Sequence, residues 1–419
     1  MTEPPASAPP RRAALMFILI TVALDVLALG MIIPVLPKLV MGFTGGDTAG
    51  AARVYGVFGT VWALMQFLCS PVLGMLSDRW GRRPVVLLSN FGLGLDYILM
   101  AMAPTLGWLF IGRVISGITA ASIPTAMAYI ADVTVPEKRS SAFGMIGAAF
   151  GLGFLLGPAV GGILGDVNPH LPFWVAAGLS LANALYGLLV LPESLPPNQR
   201  TKFSWSKANP VGSLKLLRSH TELLGLAVVN FIAGLAHEVF PSVFVLYASQ
   251  RYGWDAKSVG LTLAGAGVCG AAVQMGLVPS AVRWLGERRM LLVGLAFGVA
   301  GAAIYGLAPT GWTFLCAIPV MSLWGMSGPA THGLMTRRVM ASEQGQLQGA
   351  NSSLRGIAGM LGPLIFTLTY AAFIDDKRGW FLPGAPFLLA ALLLLLSLVM
   401  AWRVTRAELS AQAKRADDA

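Results

Sequence analysis

The chain has 419 residues, of which 56% are hydrophobic and 11% charged, with a formal net charge of +10. A soluble domain carries roughly a quarter of its residues as charges, and a mean hydropathy of +0.70 excludes that class. Apolar runs of about 20 residues, each long enough to cross a bilayer core, recur along the chain and exclude a membrane β-barrel, whose strands are alternating segments of about ten.

These runs predict twelve transmembrane helices near residues 13–35, 52–76, 84–103, 106–132, 140–165, 172–191, 222–248, 256–281, 289–308, 311–336, 345–372 and 380–403. The first follows Arg11 and Arg12 as a secretory signal would, but its length and the Asp25 inside it predict a retained helix. Between the sixth and seventh runs, a polar, proline-rich and basic stretch reads as a linker. The expected organisation is a tail over 1–12, a six-helix bundle over 13–191, a linker over 192–221, a second bundle over 222–403 and a tail over 404–419. Assigning alternate loops to opposite sides puts 21 Lys and Arg on the side that holds both termini and 6 on the other. The rich side is therefore expected in the cytoplasm, and the basic balance reports topology, not nucleic-acid binding.

The two halves repeat. "APT" at 103–105 recurs at 308–310, "GP" at 157–158 recurs at 362–363, and "RWGRR" at 79–83 returns as "RWLGERR" at 283–289 with Gly81 and Gly286 in register. All three matches share an offset of 205 residues. Parallel repeats of six helices predict an all-α polytopic membrane protein of two pseudo-symmetric bundles with a site near the midplane.

An ionisable group at bilayer depth is costly unless it faces a partner or water. Asp25 lies about 12 residues into the first helix, close to mid-bilayer. It is either a proton or cation site or a carboxylate satisfied by neighbouring helices. Asp96 and Arg113 flank the short loop "APTLG" at similar depth. They can pair, as a fixed ion pair or as a coupling element, or Arg113 can turn toward Asp25. In the second half, His237 and Glu238 fall within the seventh helix and Arg355 within the eleventh. Glu238 with Arg355 is a candidate second pair, although their depths differ by roughly 9 Å and a long Arg or a water would have to bridge them. His237 reads as a polar lining residue or a proton carrier, and His332 as a residue near the end of the tenth helix. Gln66, Met65, Tyr129, Phe240, Phe244 and Trp324 are candidate cavity lining. Cys69, Cys269 and Cys316 lack metal-ligand spacing and read as small core residues. No Ser-His-Asp set, nucleotide loop, metal cluster or paired-carboxylate motif is present in the sequence, so neither enzyme chemistry, a metal nor a cofactor is expected.

The stretch "SDRWGRRP" at 77–84 sets one acid and three arginines between apolar runs. The arginines hold that loop in the cytoplasm, and Gly81 suits a sharp turn with positive φ. Asp78 can pair with a nearby arginine or face the positive end of a helix. Gly74, Asp78, Arg79, Gly81, Arg82 and Arg83 are thus expected to form a conformational latch. The glycines of the fifth helix, Gly147, Gly151, Gly153, Gly157, Gly161 and Gly162 beside Pro158, permit either close helix approach or bending.

"GMLSDRWGRRP", Gly74 to Pro84, resembles the loop 2–3 signature of the major facilitator superfamily. "GRVISGITAA" around Arg113 is similar to that family's helix 4 motif, and "GFLLGPAVGG", Gly153 to Gly162, to the helix 5 motif of its exporters. The run from "ALMQFLCSP" to "LDYILMA", with "RYGWDAKSVG" and "GQLQG", resembles the drug/proton antiporters of the tetracycline-efflux type. The resemblance spans nearly all of residues 13–403. It implies a monomeric secondary transporter of the bacterial inner membrane that exports an amphiphilic small molecule or drug in exchange for protons, powered by the proton gradient alone. By the same resemblance the helix 1 carboxylate corresponds to Asp25, the loop acid and arginine to Asp78 and Arg82, the helix 3 acid to Asp96 and the helix 4 arginine to Arg113. The second half departs. Tetracycline antiporters carry a His in helix 8 and an Asp in helix 9, both tied to proton coupling; the aligned positions here are Gly270 and Gly298, leaving Glu238 as the acid through which that half would couple. A proton-coupled nutrient symporter or a uniporter would use the same fold, and a non-transporting membrane receptor is the alternative of another class.

Overall fold

The computed structural model describes residues 11–417 apart from 121, 136–138, 204, 206–208, 220, 341–342 and 376–380. Lys138, Lys207, Lys377 and Arg378 of the charge count, with residues 1–10 and 418–419 of the tails, lie outside the described residues. In chain order the α-helices are α1 Arg11–Ile32, α2 Leu36–Phe43, α3 Thr48–Trp80, α4 Arg82–Ala101, α5 Leu106–Thr119, α6 Ser122–Val133, α7 Arg139–Val167, α8 Leu171–Val190, α9 Lys215–Ser219, α10 Thr221–His237, α11 Val239–Tyr252, α12 Ala256–Ala272, α13 Val278–Leu307, α14 Gly311–Cys316, α15 Ile318–Ser322, α16 Ser327–Thr336, α17 Gln344–Ile374 and α18 Ala385–Asp417. Among the described residues, 11 helical runs are long and apolar enough to cross a membrane. One of them, Ala256–Leu307, is 52 residues long and breaks at Gly286, whose φ of 70° and ψ of 163° leave the helical region. That run supplies two crossings, and the predicted twelve result.

The boundaries differ from expectation where proline intervenes. The first crossing runs on to Phe43 after a turn at 33–35. Pro34 has no N–H for the Gly30 carbonyl, which the Ile33 N–H takes instead at 3.3 Å. The seventh crossing breaks between His237 and Val239 because Pro241 leaves the His237 carbonyl without its helical donor; the Glu238 N–H turns back to the Leu235 carbonyl at 3.1 Å. The two breaks, at Ile33 and Glu238, share the 205-residue offset of the sequence repeats. The last helix continues past residue 403 to Asp417, so the expected tail begins as helix.

By their contacts the residues fall into two units, one running to Leu36 and from Met65 to Asn209, the other Pro37–Leu64 and Pro210 onward. In the second unit the segment 37–64 is held by Lys38 Nζ donating to the Trp254 carbonyl at 2.8 Å, Tyr55 Oη to the Pro241 carbonyl at 3.1 Å and Thr60 Oγ1 to the Met360 carbonyl at 3.0 Å. Within the largely aliphatic core of this unit lies an aromatic cluster. Tyr305 stacks on Phe314 with centroids 4.0 Å apart, and Tyr247 Oη donates to the Tyr305 carbonyl at 2.8 Å. Cys316 is exposed, which corrects its reading as a core residue: an apolar helix in a membrane protein presents one face outward, and a small thiol fits there as well as inside.

In the first unit α1 packs along α7 and α8, and α4 along α8. The α1–α7 seam is where the helix 5 glycines act. A Cβ on Gly157 would lie 2.7 Å from Gly30 Cα, one on Gly153 would lie 2.7 Å from the Val26 side chain, and one on Gly161 would overlap the Met31 backbone. Gly162 is also buried, whereas Gly147 and Gly151 face open space. Without a hydrophobic force between helices in lipid, such close backbone approach is what holds them together. Gly157→Val should therefore cost about 3 kcal/mol, the upper end for overpacking, read as a lowered melting temperature in detergent, while Gly151→Ala should leave it unchanged.

Candidate functional site

Asp25 sits on α1 and is buried. Asn183 on α8 donates Nδ2 to Asp25 Oδ1 at 2.8 Å and to the Thr21 carbonyl at 2.9 Å. Asn90 on α4 faces the same carboxylate; with its amide turned to satisfy both ends, Nδ2 donates to Asp25 Oδ2 at 2.9 Å and Oδ1 accepts from Asn183 at 3.1 Å. Three helices thus meet at one carboxylate. An ionised carboxylate only accepts hydrogen bonds. Protonating it turns one of its acceptor sites into an O–H donor beside the amide donors, which perturbs the hydrogen bonds that hold it. The arrangement links a proton on α1 to the packing of α4 and α8.

Asp96 on α4 and Arg113 on α5 do come together. Both are buried, with Arg113 Nη2 3.9 Å from Asp96 Oδ2 and 2.9 Å from Met100 Sδ. Neither Asp96 oxygen accepts a hydrogen bond, so this is a charge pair without a hydrogen bond. Gly112 makes it fit: a Cβ there would lie 2.6 Å from Met100 Cγ and 2.9 Å from Asp96 Oδ1.

The third constellation is at the turn between α3 and α4. Gly81 has φ 111° and ψ 161°, open only to glycine. Arg82 pairs with Asp78 one helical turn earlier and, through Nε, with Asp132 Oδ2 at the end of α6 at 3.0 Å. Arg83 donates to the Leu188 carbonyl near the end of α8, and Thr201 N–H donates to the Asp78 carbonyl at 3.0 Å. Arg79 is exposed and a Cβ on Gly74 would meet open space, so among the described residues neither of these two expected members is packed into the turn. The residue that organises the turn is Glu193, in the linker directly after α8. Its carboxylate accepts the backbone N–H groups of Arg82, Arg83, Ser194 and Leu195 at 2.8, 3.3, 2.9 and 3.0 Å. It occupies the space a Cβ on Gly81 would need. Glu193, Asp132, Asn90 and Asn183 were all missed by sequence reasoning. The two asparagines were detectable as amides in apolar runs, and Glu193 as an acid in "LPES" just where a helix ends.

In the second unit the helix break places His237, Phe240 and Trp324 together, the imidazole 5.8 and 5.7 Å from the two rings. His237 is exposed and Phe240 and Trp324 are half-buried. The indole lies over Gly298, where a Cβ would come within 2.9 Å of it; Gly270 faces open space. Gln274, in a π-helical turn over 273–277, donates to the Gly325 carbonyl at 3.0 Å. Gln66 is half-buried in the other unit. Three expectations are corrected. Glu238 and Arg355 do not pair: the Glu238 stem rests on Gly362, seven residues and about 10 Å along α17 from Arg355, which is exposed. Tyr129 lines no cavity; it is fully buried and donates to the Pro192 carbonyl at 2.9 Å. Phe244 is buried against Phe314, centroids 5.5 Å apart, and belongs to the core.

Twelve apolar crossings in two repeated sets, with carboxylates buried in mid-helix, define a polytopic α-helical membrane protein of transporter architecture. The chain belongs to the Major Facilitator Superfamily, whose sequence profile matches residues 18–363. It is 39% identical over 380 residues to the tetracycline resistance protein, class C, of Escherichia coli, covering 90% of this chain and 94% of that one. It is 36% identical over 372 residues to the class G protein of Vibrio anguillarum, covering 88% and 93%. Among solved structures, the human organic anion transporter MFSD10 superposes with a TM-score of 0.69 at 23% identity, covering 94% of this chain and 100% of that one. A bacterial homologue of the human lysosomal transporter Spinster, inward-facing and unoccupied, gives 0.75 at 17% identity over 97% and 99%. These two likenesses are of fold.

If Glu193 holds the turn, Glu193→Gln should cost about 1–3 kcal/mol, the price of setting an amide donor against backbone donors. The loss should appear as a lower melting temperature and be matched by Gly81→Ala, which displaces the same carboxylate.

Proposed function

We propose that this protein is a secondary active exporter that exchanges inbound protons for an outbound amphiphilic small molecule, with tetracyclines the first class to test. The observation that carries the reading is the Asp25 site. A carboxylate buried within a membrane-crossing helix, accepting amide hydrogen bonds from two other helices, ties proton uptake to those bonds, because protonation turns one of its acceptor sites into a donor. Substrate competing for the deprotonated state couples the two fluxes, since a ligand moves a conformational equilibrium only through its differential affinity for the states. The relatives named for tetracycline resistance support the direction and the substrate class. The exposed His237 with Phe240 and Trp324 supplies an aromatic surface for a flat amphiphile. The arginine-rich turns support an orientation with both termini in the cytoplasm of a bacterium. The chain acts as a monomer, without enzymatic chemistry and with the proton gradient as its energy source.

Everted membrane vesicles should show proton efflux on addition of substrate, and Asp25→Asn should abolish it while membrane levels stay normal. Export that persists unchanged with the proton gradient collapsed overturns the antiport reading. Growth inhibition in an efflux-deficient host, measured over a compound panel that includes tetracyclines, should show at least one compound whose inhibitory concentration rises about fourfold or more, a shift of roughly 0.8 kcal/mol or greater.

A further inference from the structure

Each half turns at a glycine, and among the charged residues around the two turns three positions match across the halves with opposite sign. Asp78 corresponds to Arg283, Arg82 to Glu287 and Asp132 to Arg337, each 205 residues apart, whereas Arg83 and its counterpart Arg288 share one sign. The backbone is alike, with ψ 161° at Gly81 and 163° at Gly286 and both φ positive. The bond is alike too. Arg82 Nε lies 3.0 Å from Asp132 Oδ2, and Arg337 Nη2 lies 3.0 Å from Glu287 Oε1. Each joins the residue after the turning glycine to the end of the crossing that follows the next short loop. In the second half, Gly333 leaves the room that the Glu287 carboxylate fills. The Glu287 side chain is only 14% exposed and its Oε2 is buried without a hydrogen bond, so Arg337 answers a charge that water does not.

The helix dipole explains why only one half needs an additional acid. An acid at a helix start and a base at a helix end are the favoured order, and Glu287 with Arg337 at the C-cap of α16 follow it. Arg82 at the start of α4 and Asp132 at the end of α6 oppose it. In the first half Glu193 supplies the missing negative charge at the α4 N-terminus. Its counterpart in the second half is Leu398, an apolar residue where Glu287 already provides the acid.

We propose that Glu287 and Arg337 form a second brace, the charge-inverted counterpart of Arg82 and Asp132, and that both are positioning residues for transport. The requirement at this station is an opposite-charge bond between the two helix ends, and either order of signs meets it. Each brace keeps the turn end of its own half rigid. The consequence for transport rests on the export reading; the brace itself does not.

A thermal double-mutant cycle on purified full-length protein tests the brace. Glu287→Gln and Arg337→Gln should each lower the melting temperature, and the double variant should lower it no further than the worse single one. Losses that simply add overturn the proposal. Glu287→Arg should cut the maximal antiport rate about tenfold at unchanged KM, and adding Arg337→Glu should recover most of it. A reversed pair as inactive as Glu287→Arg, at equal membrane abundance, overturns the inversion. If Glu287→Arg does not reach the membrane, Arg337→Gln replaces it, since that side chain is 74% exposed; it should lower the maximal rate at constant KM, and wild-type rates overturn the positioning role. A wild-type protein that exports none of the compounds defeats the export reading, and the thermal cycle then decides the brace alone.

Discussion

A carboxylate placed in the middle of an apolar helix has to be answered by the chain itself, because the bilayer supplies no water to do it. Asp25 imposes that constraint here, and much of the first unit is arranged around it. Amides from α4 and α8 converge on it, which fixes how those helices rotate about their axes. On the other side α1 is drawn against α7 through the glycine notches at Gly153, Gly157 and Gly161. A polar contact sets the register and small residues set the distance. Neither alone would specify the seam, since lipid competes as well as leucine for an apolar helix face.

The same logic separates the two kinds of charged site. Asp25 is satisfied by neutral amides whose hydrogen bonds can be rearranged. Asp96 faces Arg113 without a hydrogen bond, and removing either charge strands the other in the interior. The turn at Gly81 is different again. There Arg82 is shared between Asp78 and Asp132, and Glu193 gathers four backbone donors that the helix start and the linker leave over. It joins the loop expected to work as a latch to the linker expected to be a mere connection.

Much of this was legible in the sequence because membrane proteins write topology in composition. Twelve runs, the repeat and the glycine turn follow from hydropathy, a shared offset and residue type, and the structure gives Gly81 and Gly286 matching positive-φ turns. Asp25, Asp96 and Arg113 were legible as charges in the wrong solvent. What answers them was not. Asn90 and Asn183 are distant in sequence and unremarkable by composition, and only helix packing brings them to Asp25. The Glu238–Arg355 pairing failed because one-dimensional depth cannot show that Pro241 breaks the helix and that the Glu238 stem lies on Gly362 instead. Tyr129 and Phe244 failed for a related reason: an aromatic residue in an apolar run gives no sign of whether it faces a cavity or a neighbour.

The inverted signs of the two turns also bear on how such a duplicated gene can vary. The halves share register and backbone at Gly81 and Gly286, so an exchange of segments between them would preserve shape. It would not preserve pairing. A chain that took its third crossing from one half and its fourth from the other would set Arg82 against Arg337, or Glu287 against Asp132, like charge against like. Such a hybrid would lose the opposite-charge bond in either order of exchange, a penalty on mixing the halves that their matching backbones do not reveal.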